Sequence, residues 1–277
     1  MADTNNESEN KTKLPVVLAC AGLDPSGSAG LLADVRIISS LCCHPCGLVT
    51  CQTVQSSGGV TRIVPVEPAL LLEQFEKILD DVKLDAVKIG AIASNDTIET
   101  IGMMLQKIRD VPIVYDPIVV PTNGLGFLDP DSIDTVVESI LPIVFLATPN
   151  LKELGFFTET EIDPSDDEGI FDAAKKWIDA GAKNVLVTGI RRDDMITDRL
   201  FTGGTDGKIG NRDFEHAVID SGEVHGTGCV LSSAIASYLA LGMDLVNSVE
   251  GGISIVTKAI KNARQVGQGA RFWVIGP

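Results

Sequence analysis

A cysteine and three small residues stand together at the start of a helical pattern in the last quarter of the sequence. Segment 224–236 reads VHGTGCVLSSAIA, so Cys229 directly follows Gly226, Thr227 and Gly228. Glycine lets the backbone approach a ligand closely, and the N–H groups at a helix N-terminus attract an anion. A thiol at such a site, where its pKa falls, can accept a proton from a substrate hydroxyl. The segment therefore predicts phosphoryl transfer, in which positioning and charge stabilisation provide most of the catalysis.

Each of these residues also has a structural interpretation. Cys229 would then be a small buried hydrophobe near a helix start, and the glycines would form a tight turn that needs only a positive φ. His225 would either lie near a bound nucleotide or have a structural role. Because the glycines immediately precede an apolar helix, we favour the anion site.

The composition excludes several classes of protein. The net charge of −16, from 22 basic and 38 acidic residues, disfavours nucleic acid or an anionic membrane as a partner. No apolar run approaches the roughly 20 residues that span a bilayer. The six cysteines lack the spacing of a disulfide framework, which favours a reducing, cytoplasmic compartment. Binding of ATP through backbone amides and a divalent cation remains open to such an acidic protein.

Short apolar segments alternate with amphipathic segments, which predicts a mainly parallel sheet with flanking helices. The predicted strands are 15–21, 47–54, 86–89, 112–115, 144–147 and 184–188. The predicted helices are 67–82, one capped by Asn95, 168–180, 229–242 and one from Asp244. We expect a disordered tail over residues 1–13 and a single three-layer domain over 14–277.

Five motifs occur in order along the chain: AGLDPSGSAGLLAD at 21–34, KIG at 88–90, YDP at 115–117, TPNLKE at 148–153 and HGTGC at 225–229. Together they resemble the hydroxymethylpyrimidine/phosphomethylpyrimidine kinase family of thiamine biosynthesis, which is part of the ribokinase-like superfamily. The resemblance implies a ribokinase-like three-layer α/β/α sandwich with a central, mostly parallel sheet. It also implies a homodimer that uses ATP and Mg²⁺ to phosphorylate 4-amino-5-hydroxymethyl-2-methylpyrimidine, its monophosphate, or both.

The resemblance also implies roles for individual residues. Cys229 would be the catalytic base, with Gly226, Thr227 and Gly228 as the anion hole. The pyrimidine would contact Gly22, Asp34, Gln55, Ala91 and Ile118. The nucleotide would contact Asn150, Thr188, Gly189 and Gly228. Mg²⁺ would be held by Glu153 and Asp116.

Some of these assignments have simpler interpretations. Asn150 and Glu153 also fit a helix capping box, and both roles can hold at once. Asp116 followed by proline also suits a turn, and Asp34 also suits a solvent-facing helix position. A planar amide such as that of Gln55 offers both a donor and an acceptor, which suits an aminopyrimidine edge.

The chain departs from the family pattern at three places. Ala91 stands where the family commonly has methionine against the ring. Residues 187–191 read VTGIR instead of VKGGH, and Val224 replaces a polar residue. Gln55 favours a pyrimidine substrate, whereas Ala91 weakly favours a bulkier or different ligand.

Three alternatives therefore stay open. The first is a pyridoxal or pyridoxine kinase of vitamin B6 salvage, and the second is a ligand-binding homologue without turnover. The third is a zinc or copper site, because residues 42–46, CCHPC, contain four soft ligands. Adjacent cysteines do not easily reach one tetrahedral ion, so this alternative comes last.

Overall fold

Nine strands form one mixed sheet in the computed structural model, which describes residues 13–108, 110–119, 124–204 and 207–275. The strand order is β3-β2-β1-β4-β5-β6-β7-β8-β9. The strands are β1 Val16–Leu23, β2 His44–Ser56, β3 Gly59–Pro65, β4 Ala86–Ile89, β5 Ile113–Tyr115, β6 Leu146–Ala147, β7 Asn184–Arg192, β8 Met195–Gly203 and β9 Ile209–Ala217. Strands β2, β1, β4, β5, β6 and β7 pair in parallel, and β3, β8 and β9 extend the two ends antiparallel.

Eight α-helices connect these strands within the described residues. They are α1 Gly30–Ser40, α2 Pro68–Asp81, α3 Asn95–Leu105, α4 Ile133–Ser139, α5 Leu151–Thr158, α6 Asp167–Asp179, α7 Thr227–Ala240 and α8 Leu245–Lys261. A short parallel pair, β10 Val224–His225 with β11 Arg271–Phe272, lies outside the main sheet. None of the helices in the described ranges is long and apolar enough to cross a bilayer.

The central strands β1, β4, β5 and β6 are apolar except at Lys88, because helices cover both faces of the sheet. Alternate residues of β1 belong to two different buried clusters, since successive side chains of a strand point to opposite faces. One cluster contains side chains of α2 to α6, among them Phe75 and Trp177. The other contains side chains of α1, α7 and α8, among them Leu231 and Val249. This arrangement confirms the predicted three-layer α/β/α sandwich.

Most predicted elements are present with small shifts. Strand β4 has the predicted bounds, and α2, α6, α7 and α8 lie within two residues of theirs. The predicted cap at Asn95 is wrong by one residue, because the Ser94 side chain accepts the hydrogen bond from Thr97 N. Most of the predicted tail lies outside the described residues, and a single domain over 14–277 stays a prediction.

Candidate active site

The N-terminus of α7 faces the ends of the parallel strands across a cleft. Gly226, the residue before this helix, has a φ of +83°, and a Cβ there would lie 2.0 Å from the Ser28 carbonyl oxygen. Only glycine fits such a position. The first backbone N–H groups of a helix have no partner within it, so the turn at 226–228 presents donors to the cleft. The structure therefore brings together the three small residues predicted as an anion hole.

Cys229 lies in the first turn of α7 and lines the same cleft, although its thiol is buried. Burial raises the pKa of this thiol to about 12, and the nearby Lys88 ammonium acts in the opposite direction. The prediction that the helix N-terminus lowers the pKa of Cys229 is therefore wrong, since desolvation of the thiol outweighs that effect. Position supports a role in proton transfer, and the charge around Cys229 decides when the thiolate forms.

Lys88 lies beneath the cleft and is fully buried. Its Nζ is 2.9 and 3.0 Å from the two carboxylate oxygens of Asp34 and 3.9 Å from Asp116 Oδ2. Ser233 Oγ donates to Asp34 at 2.7 Å, and Ser232 Oγ donates to Asp116 at 3.1 Å. Although burial acts to lower the pKa of Lys88, Asp34, Cys229 and Asp116 together outweigh it, and the ammonium stays charged. A buried charge is tolerated only when it is paired in this way.

This network corrects the role of Asp34. The residue was expected at the pyrimidine, but it is 0% exposed, does not line the cleft and contacts Lys88 and Ser233. The acidic residue that lines the cleft is Asp24, in the same motif. Hydrogen bonds from His225 and Ser26 hold its pKa below the usual value, although burial acts to raise it.

Asp116 and Glu153 are two carboxylates on the wall of the cleft. Burial, and then repulsion from Asp116, raises the pKa of Glu153 to about 8. Burial likewise raises the pKa of Asp116, with Lys88 opposing it. Such a pair suits a divalent cation, and Mg²⁺ is commonly held by one or two carboxylates together with phosphate oxygens and water. The oxygen donors present therefore fit the predicted metal.

The capping interpretation of Asn150 and Glu153 is also confirmed. Glu153 Oε2 accepts from the backbone N–H of Asn150 at 2.9 Å, and Asn150 Oδ1 accepts from that of Glu153 at 3.0 Å. The capping box fixes the start of α5. One Glu153 oxygen is thus used by the helix, and the side chain still lines the cleft.

The cysteine-rich segment forms no metal site. Across the ranges that the structure describes, no group of three or more His, Cys, Asp or Glu side chains is arranged to hold an ion. Cys42 is exposed, with a φ of +59°, and Cys43 is buried, so the two thiols lie in different environments. The zinc or copper alternative is therefore wrong: residues 42 and 43 lie in the turn between α1 and β2, and residues 44–46 begin β2.

A second cavity continues the cleft and shares Thr188, Thr227 and Gly228 with it. Thr188 and Gly189 lie on β7, where Gly189 N donates to Asp198 Oδ1 at 2.8 Å. Residues of α8 cover the far side. The nucleotide residues predicted from the sequence thus lie together, with Asn150 bridged to Thr188. Arg191 also lines this cavity and occupies the place of the expected histidine.

The opposite end of the cleft contains most of the predicted ring contacts. Gly22, Gln55, Ala91 and Ile118 all line it. The Gln55 carboxamide lies between Thr53 Oγ1, at 3.1 Å, and His225 Nε2, at 2.9 Å. His225 therefore belongs to this end rather than to the nucleotide end. The sequence contained a signal for this, because His225 directly precedes the anion hole, but nothing linked it to Gln55.

Comparison with known protein families gives one match over most of the chain. A family model described as phosphomethylpyrimidine kinase matches residues 24–273. The thiamine biosynthesis bifunctional protein ThiED of Geobacter sulfurreducens is 34% identical over 91% of this chain, which spans 50% of that protein. The hydroxymethylpyrimidine/phosphomethylpyrimidine kinase of Staphylococcus aureus is 31% identical, over 93% of this chain and 92% of that enzyme. The chain thus spans half of the bifunctional relative and nearly all of the kinase.

Solved structures agree with this match. The phosphomethylpyrimidine kinase of Clostridium difficile superposes with a TM-score of 0.75 and 27% identity, covering 90% of this chain and 100% of that one. The pyridoxal kinase of Staphylococcus aureus, in complex with AMP-PCP and pyridoxal, superposes with a TM-score of 0.83. The match covers 95% of this chain and 93% of that one. At 24% identity the second likeness concerns the fold alone. The predicted ribokinase-like fold is confirmed.

The pair of His216 and Asp198 on the wall of the second cavity makes stability depend on pH. His216 Nε2 is 3.2 Å from Asp198 Oδ2, and this hydrogen bond raises the pKa of His216 above its usual 6.5. Because the folded-state pKa is the higher one, the stabilisation is complete below pH 6.5 and is lost as the pH rises through the folded-state value.

We therefore expect His216→Gln to lower the free energy of unfolding more at mildly acidic than at alkaline pH. Urea denaturation of both proteins at two pH values, on either side of this window, measures the difference. The same gap at both values would contradict the prediction.

Proposed function

Because the chain belongs to the phosphomethylpyrimidine kinase family, we propose that it transfers the terminal phosphoryl group of ATP to the hydroxymethyl group of 4-amino-5-hydroxymethyl-2-methylpyrimidine, and then to the resulting monophosphate. The observation that carries the proposal is the convergence of a thiol and a turn of backbone amides at the N-terminus of α7. The reaction needs both: a proton acceptor for the alcohol and donors for the charge on the phosphoryl group.

In this reaction Cys229 takes the proton of the substrate hydroxyl as the hydroxyl oxygen attacks the γ-phosphorus of ATP, and the bond from that phosphorus to the β–γ bridging oxygen breaks to release ADP. The amides of residues 226–228 stabilise the charge on the phosphoryl oxygens during transfer. Burial raises the pKa of the thiol, so the thiolate depends on nearby positive charge. The Lys88 ammonium supplies such charge from beneath the cleft.

Asp116 and Glu153 would hold Mg²⁺, which would neutralise phosphate charge when bound. Their position in the cleft supports this role, since Asp116 lies next to Gly228, which lines both cavities, and Glu153 lies next to Asn150. Asn150, Thr188, Gly189 and Gly228 would contact the nucleotide. Arg191 would provide a cation on the nucleotide side, where the chain lacks the lysine and histidine of the family pattern.

The pyrimidine is the better-supported substrate class. The family model and the Staphylococcus aureus relative matched along most of the chain are named as pyrimidine kinases, whereas the pyridoxal kinases share the fold. The amide of Gln55 can pair with an amino group and a ring nitrogen at the same time. Retention of Cys229, Glu153 and the turn glycines argues against a homologue without turnover. We also propose a homodimer in a reducing cytoplasm, which agrees with the six unpaired cysteines.

A substrate panel tests the proposed activity. Purified protein with MgATP should phosphorylate the pyrimidine alcohol and its monophosphate, with each product identified by its mass. We expect pyridoxine and pyridoxal to react with a lower kcat/KM than the pyrimidine. Phosphorylation of vitamin B6 alcohols alone would refute the substrate, and no phosphorylation of any alcohol would refute the activity.

Cys229→Ala should keep nucleotide affinity and lose turnover. Removal of a general base typically costs about 10²- to 10⁴-fold in rate. We expect kcat to fall within this range, while ADP affinity measured by calorimetry stays near that of the wild-type protein. Ser233→Ala is unsuitable as a control because it disturbs Asp34, but Cys46→Ala, on β2 outside the cleft, should leave both values unchanged. Near-native turnover in Cys229→Ala would remove the thiol from the mechanism.

Glu153→Gln separates the metal role of this residue from its structural one. Glutamine also completes a capping box, so the thermal midpoint should stay close to the wild-type value. The lost charge should shift the Mg²⁺ concentration for half-maximal activity upwards at fixed ATP. An unchanged Mg²⁺ dependence, measured by titration, would show that Glu153 only caps α5.

A further inference from the structure

The orientation of the Gln55 carboxamide determines which hydrogen-bonding groups of a substrate this end of the cleft can bind. One end of the amide lies at His225 Nε2 and the other at Thr53 Oγ1, 2.9 and 3.1 Å away. The oxygen and the nitrogen of an amide have nearly the same shape, so the hydrogen bonds around them decide which is which. Two orientations therefore have to be compared.

The first orientation, with the nitrogen towards His225, creates two conflicts. Thr53 Oγ1 is also 2.9 Å from the carbonyl oxygen of Leu23, so its single proton faces two acceptors. His225 Nε2 would have to be unprotonated to accept from Gln55. Its lone pair would then face the Asp24 carboxylate, whose Oδ2 is 3.5 Å away. In this orientation Thr53 has one proton too few for its two acceptors. The negative Asp24 carboxylate also faces the lone pair of His225 Nε2.

The reversed orientation removes both conflicts. Thr53 donates to the Leu23 carbonyl oxygen and accepts from the Gln55 nitrogen. A proton on His225 Nε2 is donated to the Gln55 oxygen and also faces Asp24. Each of these contacts then joins a donor to an acceptor.

Asp24 is a fixed reference point for this chain of contacts. It is buried, and its carboxylate accepts from the backbone N–H groups of Ser26 and Ala29 at 2.8 and 3.0 Å. The loop that carries His225 is fixed as well, since Ser28 Oγ donates to the His225 carbonyl oxygen at 3.2 Å. The fixed position of the Asp24 carboxylate therefore favours a proton on His225 Nε2 in the folded protein.

We propose that His225 is a positioning residue: it holds the Gln55 amide with its oxygen on the side of the anion site and its nitrogen on the side of Thr53, and thereby sets the ring that the cleft accepts. This inference rests on the proposed function. It also explains why one short segment, HGTGC, combines the anion hole with a residue of the ring site.

The chemistry of an aminopyrimidine fits this polarity. Its amino group is attached to the carbon next to the one that carries the hydroxymethyl group, and the ring nitrogen lies one atom further away. Because the hydroxymethyl oxygen must reach Cys229, the amino group lies on the side of His225. The Gln55 oxygen there accepts from the amino group, and its nitrogen donates to the ring nitrogen. With the opposite orientation of the amide, the Gln55 nitrogen would face the amino group, and both are donors.

Nitrogen-15 NMR tests the orientation without any substrate. In protein labelled at its three histidines, the His225 signals are identified by their loss in His225→Gln. We expect a proton on His225 Nε2, whereas an unprotonated Nε2 would overturn the proposal. The result is independent of the proposed function, which fails separately if no alcohol is phosphorylated.

Kinetics of paired variants test the consequence for the substrate. His225→Gln keeps a donor near the position of Nε2, and His225→Leu removes it. A lost hydrogen bond that leaves a buried partner unsatisfied should raise KM for the pyrimidine alcohol about tenfold in His225→Leu, with a smaller rise in His225→Gln. KM for ATP should change little in either variant. Equal effects of the two variants, or a parallel rise in KM for ATP, would indicate a merely structural role and overturn the proposal.

The other end of the amide offers a second test. Thr53→Val removes the acceptor for the Gln55 nitrogen and should raise KM for the pyrimidine by about tenfold, while Thr53→Ser keeps it and should resemble the wild-type protein. Thr61→Val is the matched control, because Thr61 Oγ1 donates to the Val54 carbonyl oxygen on the exposed part of the same hairpin. An unchanged KM in Thr53→Val, or an equal rise in Thr61→Val, would overturn the proposal.

Discussion

The buried ion pair between Lys88 and Asp34 is the interaction on which the site depends. It joins β4 to α1, and the hydrogen bond from Ser233 adds α7, the helix that carries Cys229. Asp116 extends the network to the residue after β5. Breaking a buried pair leaves an uncompensated charge, which is strongly destabilising, so these elements hold one relative position. The thiol and the anion turn are placed by that arrangement rather than by their own loop.

The same network leaves more negative than positive groups at the cleft. Two buried carboxylates, Asp34 and Asp116, share one ammonium, and Glu153 adds a third negative group at the cleft. Burial is the main cause of the raised pKa at Cys229 and at both cleft carboxylates, and the neighbouring negative groups add to it. A site of this kind favours a divalent cation, because the cation relieves the repulsion. Affinity for metal and activation of the thiol thus have a common electrostatic origin.

Local patterns in the sequence predict the parts of this structure that local physics determines. The bounds of β4, the capping box at Asn150 and the glycine turn before α7 all follow from short-range preferences. The role of Asp34 does not follow from short-range preferences, because its partners Lys88 and Ser233 lie 54 and 199 residues away along the chain. Strands β8 and β9 were missed because charged residues interrupt their apolar alternation and most residues of β9 are exposed.

The short strand β11 supports the anion turn from a distant part of the chain. It pairs with β10 directly before Gly226, and Trp273 Nε1 donates to the Ser28 carbonyl oxygen, the atom that Gly226 approaches. Residues 28 and 273 are 245 positions apart. The geometry of the turn at 226–228 therefore depends on residues near 273 as well as on its own sequence. A change at Trp273 would therefore reach the turn through Ser28, although Trp273 does not itself line the cleft.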